Sequence, residues 1–170
     1  MPVKFKLTDA PDTAATYTDL ITTAQAKSHL RVVHSVEDTD IDLYVKAAYG
    51  YVRNYMGGPI LEEVWTAWAD AWPLSSSDYV DFGFPRVSAI TFIKYYDEDN
   101  VFQTWATDQY QLDQFAPTSR VFTAKDVDWP TVRDQRINPI TAAFTMGWGS
   151  DDVPEEVTHA VKIVLSYLYD

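Results

Sequence analysis

The side chains that could do chemistry begin with three histidines, His29, His34 and His159. Two metal ligands on one helix face need a spacing of about four residues, but His29 and His34 are five apart, and the chain has no HExxH motif. The absence of Cys excludes a disulfide scaffold, a cysteine-ligated zinc site and a cysteine nucleophile. We therefore expect no metal ion and no cofactor, and we expect His29 and His159 to lie at helix flanks.

The acidic residues are concentrated in segments with the composition of turns. Paired carboxylates could hydrolyse glycosides, and spaced carboxylates could bind calcium. The calcium-loop pattern, with a central Gly and a terminal Glu, is missing, and acids in turns commonly serve as caps. We expect no catalytic residue among these clusters, which are Glu37–Asp38, Asp97–Asp99, Asp126 with Asp128, and Asp151–Asp152.

Motifs for nucleophilic catalysis and phosphate binding are also missing. Ser75–Ser77 form no GxSxG elbow, and the chain contains neither a Walker loop nor GxGxxG. Gly147-Trp148-Gly149 is too short to hold a phosphate, and acids follow it. No catalytic constellation emerges from these residue types and spacings.

Aromatic residues make up 15% of the chain. The tryptophans fall in or beside the predicted sheet, where they could form its core, a subunit interface or a platform for stacking sugars. These three interpretations stay open for Trp65, Trp68, Trp72, Trp105, Trp129 and Trp148.

Charge and hydropathy exclude further classes of function. The 170 residues have a formal net charge of −12, which is unfavourable for gripping a nucleic-acid backbone or an anionic membrane surface. No stretch approaches the roughly 20 apolar residues of a transmembrane helix, and the N-terminus lacks the apolar core of a signal peptide. We expect synthesis in a cytoplasm and no contact with a membrane.

Three amphipathic helices should build the scaffold, over residues 22–32, 39–57 and 154–169. Thr22 and Gln25 fit a capping box, with Ile21 and Ala26 placed as a hydrophobic staple. Thr39 should cap the second helix, Gly57 should end it, and Pro154 should occupy the first position of the third. The predicted buried stripes are Ala26, Leu30 and Val33; Ile41, Tyr44, Val45, Ala48, Val52, Tyr55 and Met56; and Val157, Ala160, Val161, Val164, Leu165 and Leu168.

Residues 60–149 change to a strand pattern, and residues 1–20 have the composition of an arm or loop. A hairpin is predicted with Asp97–Asn100 as its acidic turn. The predicted fold is α+β: a small three-helix bundle with a β-rich insertion between the second and last helices. The predicted division is an arm over 1–20 and one domain over 21–170. The predicted strands are 64–72, 79–82, 87–96, 101–105, 110–112, 120–122 and 140–146.

An ordered set of segments resembles the phage head–tail connector (adaptor) proteins. Residues 21–32 resemble the family opening L-T-x-A-x-x-K-x-H-L-R-V, and an acidic segment before the second helix follows, as in that family. The resemblance covers most of residues 21–169, through Ile21–Val32, Glu37–Asp42, Tyr44–Gly57, Pro85–Asp97, Tyr110–Asp113, Phe144–Gly149 and Val153–Glu155.

The resemblance implies a virion structural protein without enzymatic activity. Such adaptors form a ring, usually of twelve copies, below the portal of a tailed phage or phage-like capsid. The ring connects the portal to a stopper, head-completion or tail protein, and genomic DNA passes through its lumen without specific binding. Acidity would suit such a channel wall.

Two alternatives remain at this stage. A carbohydrate-binding or glycosidase-like module predicts several tryptophans side by side on an exposed face, with carboxylates nearby. A small acidic mimic of DNA would need acids spaced along one surface, which turn-clustered acids do not favour.

Overall fold

The computed structural model describes residues 3–4, 6–7, 17–74, 79–83 and 86–170. Ser75–Ser77 and most of the predicted arm therefore lie outside the described residues. Within them the chain has both helices and sheets, which confirms the predicted α+β class. It divides into two compact units: one comprises the described parts of Met1–Thr13 and Glu63–Met146, and the other those of Ala14–Glu62 and Gly147–Asp170.

The second unit is helical. Four helices occur in its described residues: α1 (Tyr17–Leu20), α2 (Thr23–Leu30), α3 (Asp38–Met56) and α4 (Glu155–Tyr169). The sequence predicted three, because the single turn of α1 falls within the predicted arm. One apolar core joins the helices, and it is built mainly from Ile21, Ala26, Ile41, Val45, Ala48, Val52, Ile60, Leu61, Val161 and Leu165.

Helix α2 begins as predicted and ends earlier. The Gln25 amide donates to the Thr22 hydroxyl while the Gln25 side chain accepts from the Thr22 amide, so the capping box is present. The helix stops at Leu30 because Arg31 takes a left-handed conformation, with φ 61°. The predicted burial of Val33 is wrong, since this residue follows the helix and is 96% exposed.

Helix α3 begins earlier than predicted and ends where predicted. It begins at Asp38 after Glu37, which makes no side-chain capping bond, so Thr39 lies inside the first turn and is not the cap. Gly57 ends the helix in a left-handed conformation, as predicted. Tyr55, predicted to be buried, is 86% exposed. No helix of the described chain is long and apolar enough to cross a membrane.

Helix α4 begins one residue later than predicted. Pro154 has an extended ψ of 138° and occupies the cap position, so Glu155 is the first helical residue. Glu155 and Glu156 still lie in the first turn, where their charges favour the positive end of the helix dipole.

The first unit consists of two sheets. A five-stranded antiparallel sheet has the order β2-β3-β9-β5-β6, and a four-stranded sheet has the order β1-β4-β8-β7, with only the β1–β4 pair parallel. The strands are β1 (Val3–Lys4), β2 (Lys6–Leu7), β3 (Glu63–Ala69), β4 (Val80–Asp81), β5 (Val87–Tyr96), β6 (Phe102–Trp105), β7 (Tyr110–Asp113), β8 (Arg120–Thr123) and β9 (Ile140–Met146).

The middle of the five-stranded sheet is β9, which pairs with β3 on one side and β5 on the other. All its residues except Thr145 are buried, as expected for a strand enclosed by neighbours. Phe144 of this strand contacts the ring of Phe82, which follows β4, at 4.4 Å between centroids. The two sheets therefore share one core.

The predicted hairpin is present between β5 and β6. Its turn closes through the Asp97 amide, which donates to the Val101 carbonyl at 3.0 Å. Asn100 takes the left-handed conformation that the turn requires, with φ 63°.

Candidate functional site

The three histidines do not converge. His29 is hydrogen-bonded through Nε2 to the hydroxyl of Ser166 at 3.0 Å, which ties α2 to α4, and the side chains of His34 and His159 are exposed. In the parts of the chain that the structure describes, no group of three or more His, Asp or Glu side chains could hold a metal ion.

Several acidic side chains in turns accept hydrogen bonds that stabilise the turn. Asp97 accepts hydrogen bonds from the Val101 amide at 2.8 Å and from the Gln103 side chain at 2.7 Å. These bonds, the Gln103 contact first, lower the pKa of the Asp97 carboxyl below its ordinary value. Asp81 and Asp113 likewise accept from backbone amides two residues further on. Each of these carboxylates satisfies its own turn.

Five of the six tryptophans lie in a core or pack against one: Trp65, Trp72, Trp105, Trp129 and Trp148. Trp72 stacks on Trp129 with 5.1 Å between ring centroids, and Trp105 contacts both rings. Trp72 and Trp105 are only 8% and 6% exposed, and the other four tryptophans, which are all described, are partly buried. The exposed row of tryptophans that a carbohydrate-binding module predicts is therefore not present.

Trp148 lies elsewhere than predicted, because it packs on the core of the helical unit and not on a sheet. Its amide donates to the Ile60 carbonyl and its carbonyl accepts from the Glu62 amide, both at 2.9 Å. Gly147 makes this pairing possible: it has φ +104°, and a Cβ there would lie 2.6 Å from the Leu61 carbonyl carbon. The glycine before Trp148 therefore serves a close backbone crossing.

Acidic residues at the start of α3 bind side chains of the neighbouring helices. Lys27 of α2 forms an ion pair with Asp38 at 2.6 Å, and the Tyr17 hydroxyl donates to Asp42 at 2.8 Å. The Tyr169 hydroxyl of α4 donates to Glu37, immediately before α3, at 2.6 Å. These hydrogen bonds to carboxylates raise the pKa of both tyrosines above the ordinary value.

One side of α3 is exposed although it contains large apolar side chains. Leu43, Ala47, Tyr51 and Tyr55 follow one another at four-residue spacing, and all four are exposed. Residues four apart lie about 40° further round a helix, so they form a continuous ridge. We call this row the α3 flank.

The sequence predictions missed the α3 flank. They assigned Tyr55 to the buried stripe and left Leu43, Ala47 and Tyr51 unassigned. The signal was a second four-residue row beside the core row, which runs through Ile41, Val45, Ala48 and Val52.

No known family model matches the chain, and no curated protein sequence is similar to it. Solved structures do share its fold. One is a chain in the neck of an empty gene transfer agent (GTA) particle computed with C6 symmetry, with a TM-score of 0.75 and 18% identity, covering 94% of this chain and 82% of that one.

Two further structures share the fold to a similar degree. A chain in the virion of the native GTA particle has a TM-score of 0.75 and 19% identity, covering 94% of this chain and 82% of that one. A chain in the neck of the native particle, computed with C12 symmetry, has a TM-score of 0.73 and 18% identity over 99% and 83% of the two chains. This chain therefore has a fold that is used in the neck of a gene transfer agent.

Proposed function

We propose that this chain is a structural subunit of the neck of a tailed phage or phage-like particle. In that role it is a head–tail adaptor, a ring of copies between the portal and a stopper or tail protein. The observation that carries the proposal is the fold shared over at least 94% of the chain with chains from GTA necks and virions. The ordered motifs from Ile21 to Tyr169 that resemble connector proteins support the same role independently.

The symmetry of these neighbours and the connector resemblance both support a ring. The necks were computed with C6 and C12 symmetry, and the connector family usually forms rings of twelve. A ring requires two different, complementary patches on each copy, because every subunit contacts one neighbour on each side. The chain accordingly needs an exposed surface with no role inside its own fold, and the α3 flank is such a surface.

The chemistry of the chain suits a passive channel. The turn acids Asp81, Asp97 and Asp113 and the imidazole of His29 serve hydrogen bonds of the fold, and no cofactor or metal is needed for the proposed role. The formal net charge of −12 opposes adhesion of DNA to a wall made of these subunits. Genomic DNA would pass through the lumen without specific binding.

The test is deletion of the coding sequence from a genome that produces the particles. An adaptor is needed to join heads to tails, so deletion should give filled heads and separate tails, and wild-type protein supplied in trans should restore joined particles. Mass measurement of the chain alone and mixed with the portal protein would then establish its direct partner. Normal tailed particles made without the chain would overturn the proposal.

A further inference from the structure

The α3 flank has the exposure and the shape of a contact surface. Leu43 is 58% exposed, Tyr51 64% and Tyr55 86%, with the small Ala47 between them. A ridge of residues at four-residue spacing fits the groove of another helix, which is the commonest way in which helices pack. Tyrosine is enriched at interfaces because its ring is apolar and its hydroxyl tolerates a wet rim.

The charge of this part of α3 is unusual for the chain. Between Leu43 and Gly57 the helix contains Lys46 and Arg53 and no acidic residue, although the whole chain has 25 acidic and 13 basic residues. Lys46 is exposed. The partner of this surface should therefore be apolar with an acidic border.

The outward side of α4 has those properties. Ile163 and Tyr167 are exposed at four-residue spacing, at 56% and 83%. The same helix begins with Glu155 and Glu156, which are exposed, and the exposed pair Asp151–Asp152 precedes it. An apolar pair bordered by acids complements an apolar ridge bordered by lysine.

We propose that the α3 flank of one copy packs against the outward side of α4, around Ile163 and Tyr167, on the next copy. The inference rests on the proposed function, because it assigns the two patches that a ring needs. The occupant of each patch is a second copy of this chain, because both patches are apolar and Lys46 beside the α3 flank is opposite in charge to Glu155 and Glu156 at the start of α4. A contact between two different patches propagates from copy to copy instead of stopping at a dimer, and it gives a ring when the rotation between successive copies closes.

Disulfide trapping tests the contact directly, because the chain contains no Cys of its own. The double variant Ala47→Cys with Ile163→Cys should, on mild oxidation of concentrated protein and of assembled particles, give a ladder of covalent multimers. Either single variant should remain monomeric on a denaturing gel. The pair Ser28→Cys with Ile163→Cys is the matched control, because Ser28 is exposed on α2, and it should give no ladder.

A charge placed on the ridge provides the second measurement. Tyr51→Glu should lower the fraction of assembled subunits at least about tenfold, as expected for a buried interface tyrosine. Ala24→Glu adds the same charge at an exposed position of α2 and should leave assembly unchanged. Circular dichroism of both variants would establish that they are folded.

Three outcomes contradict the inference and differ from failure of the proposed function. Covalent dimers from Ala47→Cys alone would mean that two α3 flanks face each other. No ladder from the double variant, or normal assembly of Tyr51→Glu, while wild-type protein forms rings, would put the contact elsewhere on the chain. Absence of the wild-type chain from joined particles would instead overturn the neck assignment itself.

Discussion

At the scale of single residues, Gly147 is a tightly constrained position. Its backbone has φ +104°, which L residues rarely adopt, and the Leu61 backbone occupies the space that a side chain would need. The crossing holds together the two strand-like segments at which the chain leaves and re-enters the helical unit. Neighbouring backbone cannot move aside as a flexible side chain can, so both penalties apply at once.

Gly147→Ala should therefore lower the free energy of unfolding by at least about 2 kcal/mol, from backbone strain and the steric clash together. Gly50→Ala is the matched control, because Gly50 lies in α3 and a Cβ added there would meet no atom within 4 Å. This control should gain about 0.5–1 kcal/mol, because alanine favours a helix over glycine. Urea titration measures both, and equal stability of the two variants would contradict the steric explanation.

At the scale of elements, the helical unit is held by its core and by polar ties to the start of α3. Two of these ties are tyrosine–carboxylate hydrogen bonds, from Tyr17 of α1 to Asp42 and from Tyr169 of α4 to Glu37. Each needs a protonated phenol, since a phenolate would repel the carboxylate.

These bonds predict a loss of stability in alkali. Because the pKa of both phenols is raised in the folded chain, the unfolded chain loses these protons first, and folding becomes less favourable as pH rises above about 10. Between pH 8 and pH 11, the free energy of unfolding should fall less in the double variant Tyr17→Phe with Tyr169→Phe than in the wild-type chain. Tyr55→Phe changes an exposed tyrosine and should keep the wild-type slope; a double variant with that slope would contradict the prediction.

Periodicity predicted where the helices and strands lie better than it predicted where they end and which of their side chains are buried. Strand β9 and the β5–β6 hairpin follow from alternation and turn composition, and the capping box located the start of α2. Local pattern does not show that Arg31 turns left-handed and ends α2, or that Tyr55 faces outward. Tyr55 belongs to the same apolar class as the core residues, so sequence alone did not separate the exposed row of α3 from its buried row.

The candidate site was less predictable than the fold. The absence of catalytic motifs could be stated from residue types alone. The α3 flank could not be separated from the core row, because both have helical spacing and only the packing of α2 and α4 decides which row is covered. The order of the strands in the two sheets was equally inaccessible, since register depends on pairing partners distant in sequence.

At the scale of the whole molecule, the excess of acids is the property that bears on DNA. A duplex carries dense negative charge, and affinity for it comes from lysine and arginine displacing counterions. With 13 basic and 25 acidic residues, the chain has a net charge that opposes this contact.

We expect the purified chain to leave a short DNA duplex unshifted in a native gel at about 50 mM salt, where electrostatic binding is strong. The same should hold for assembled rings mixed with linear DNA. A complex with a micromolar dissociation constant that weakens as salt increases would contradict the interpretation that the chain does not bind DNA. It would indicate a local basic surface on a chain whose net charge is negative.

The backbone pairing of Glu62 with Trp148 has a consequence for how such chains diversify. It brings the two ends of residues 63–146 side by side. The segment therefore leaves the helical unit and returns to it through two adjacent connections. Another insert whose two ends lie side by side could be joined at the same two connections, because the backbone pairing of Glu62 with Trp148 would be kept. Exchange of residues 63–146 would then replace most of the sheet unit and leave the four described helices of the other unit unchanged.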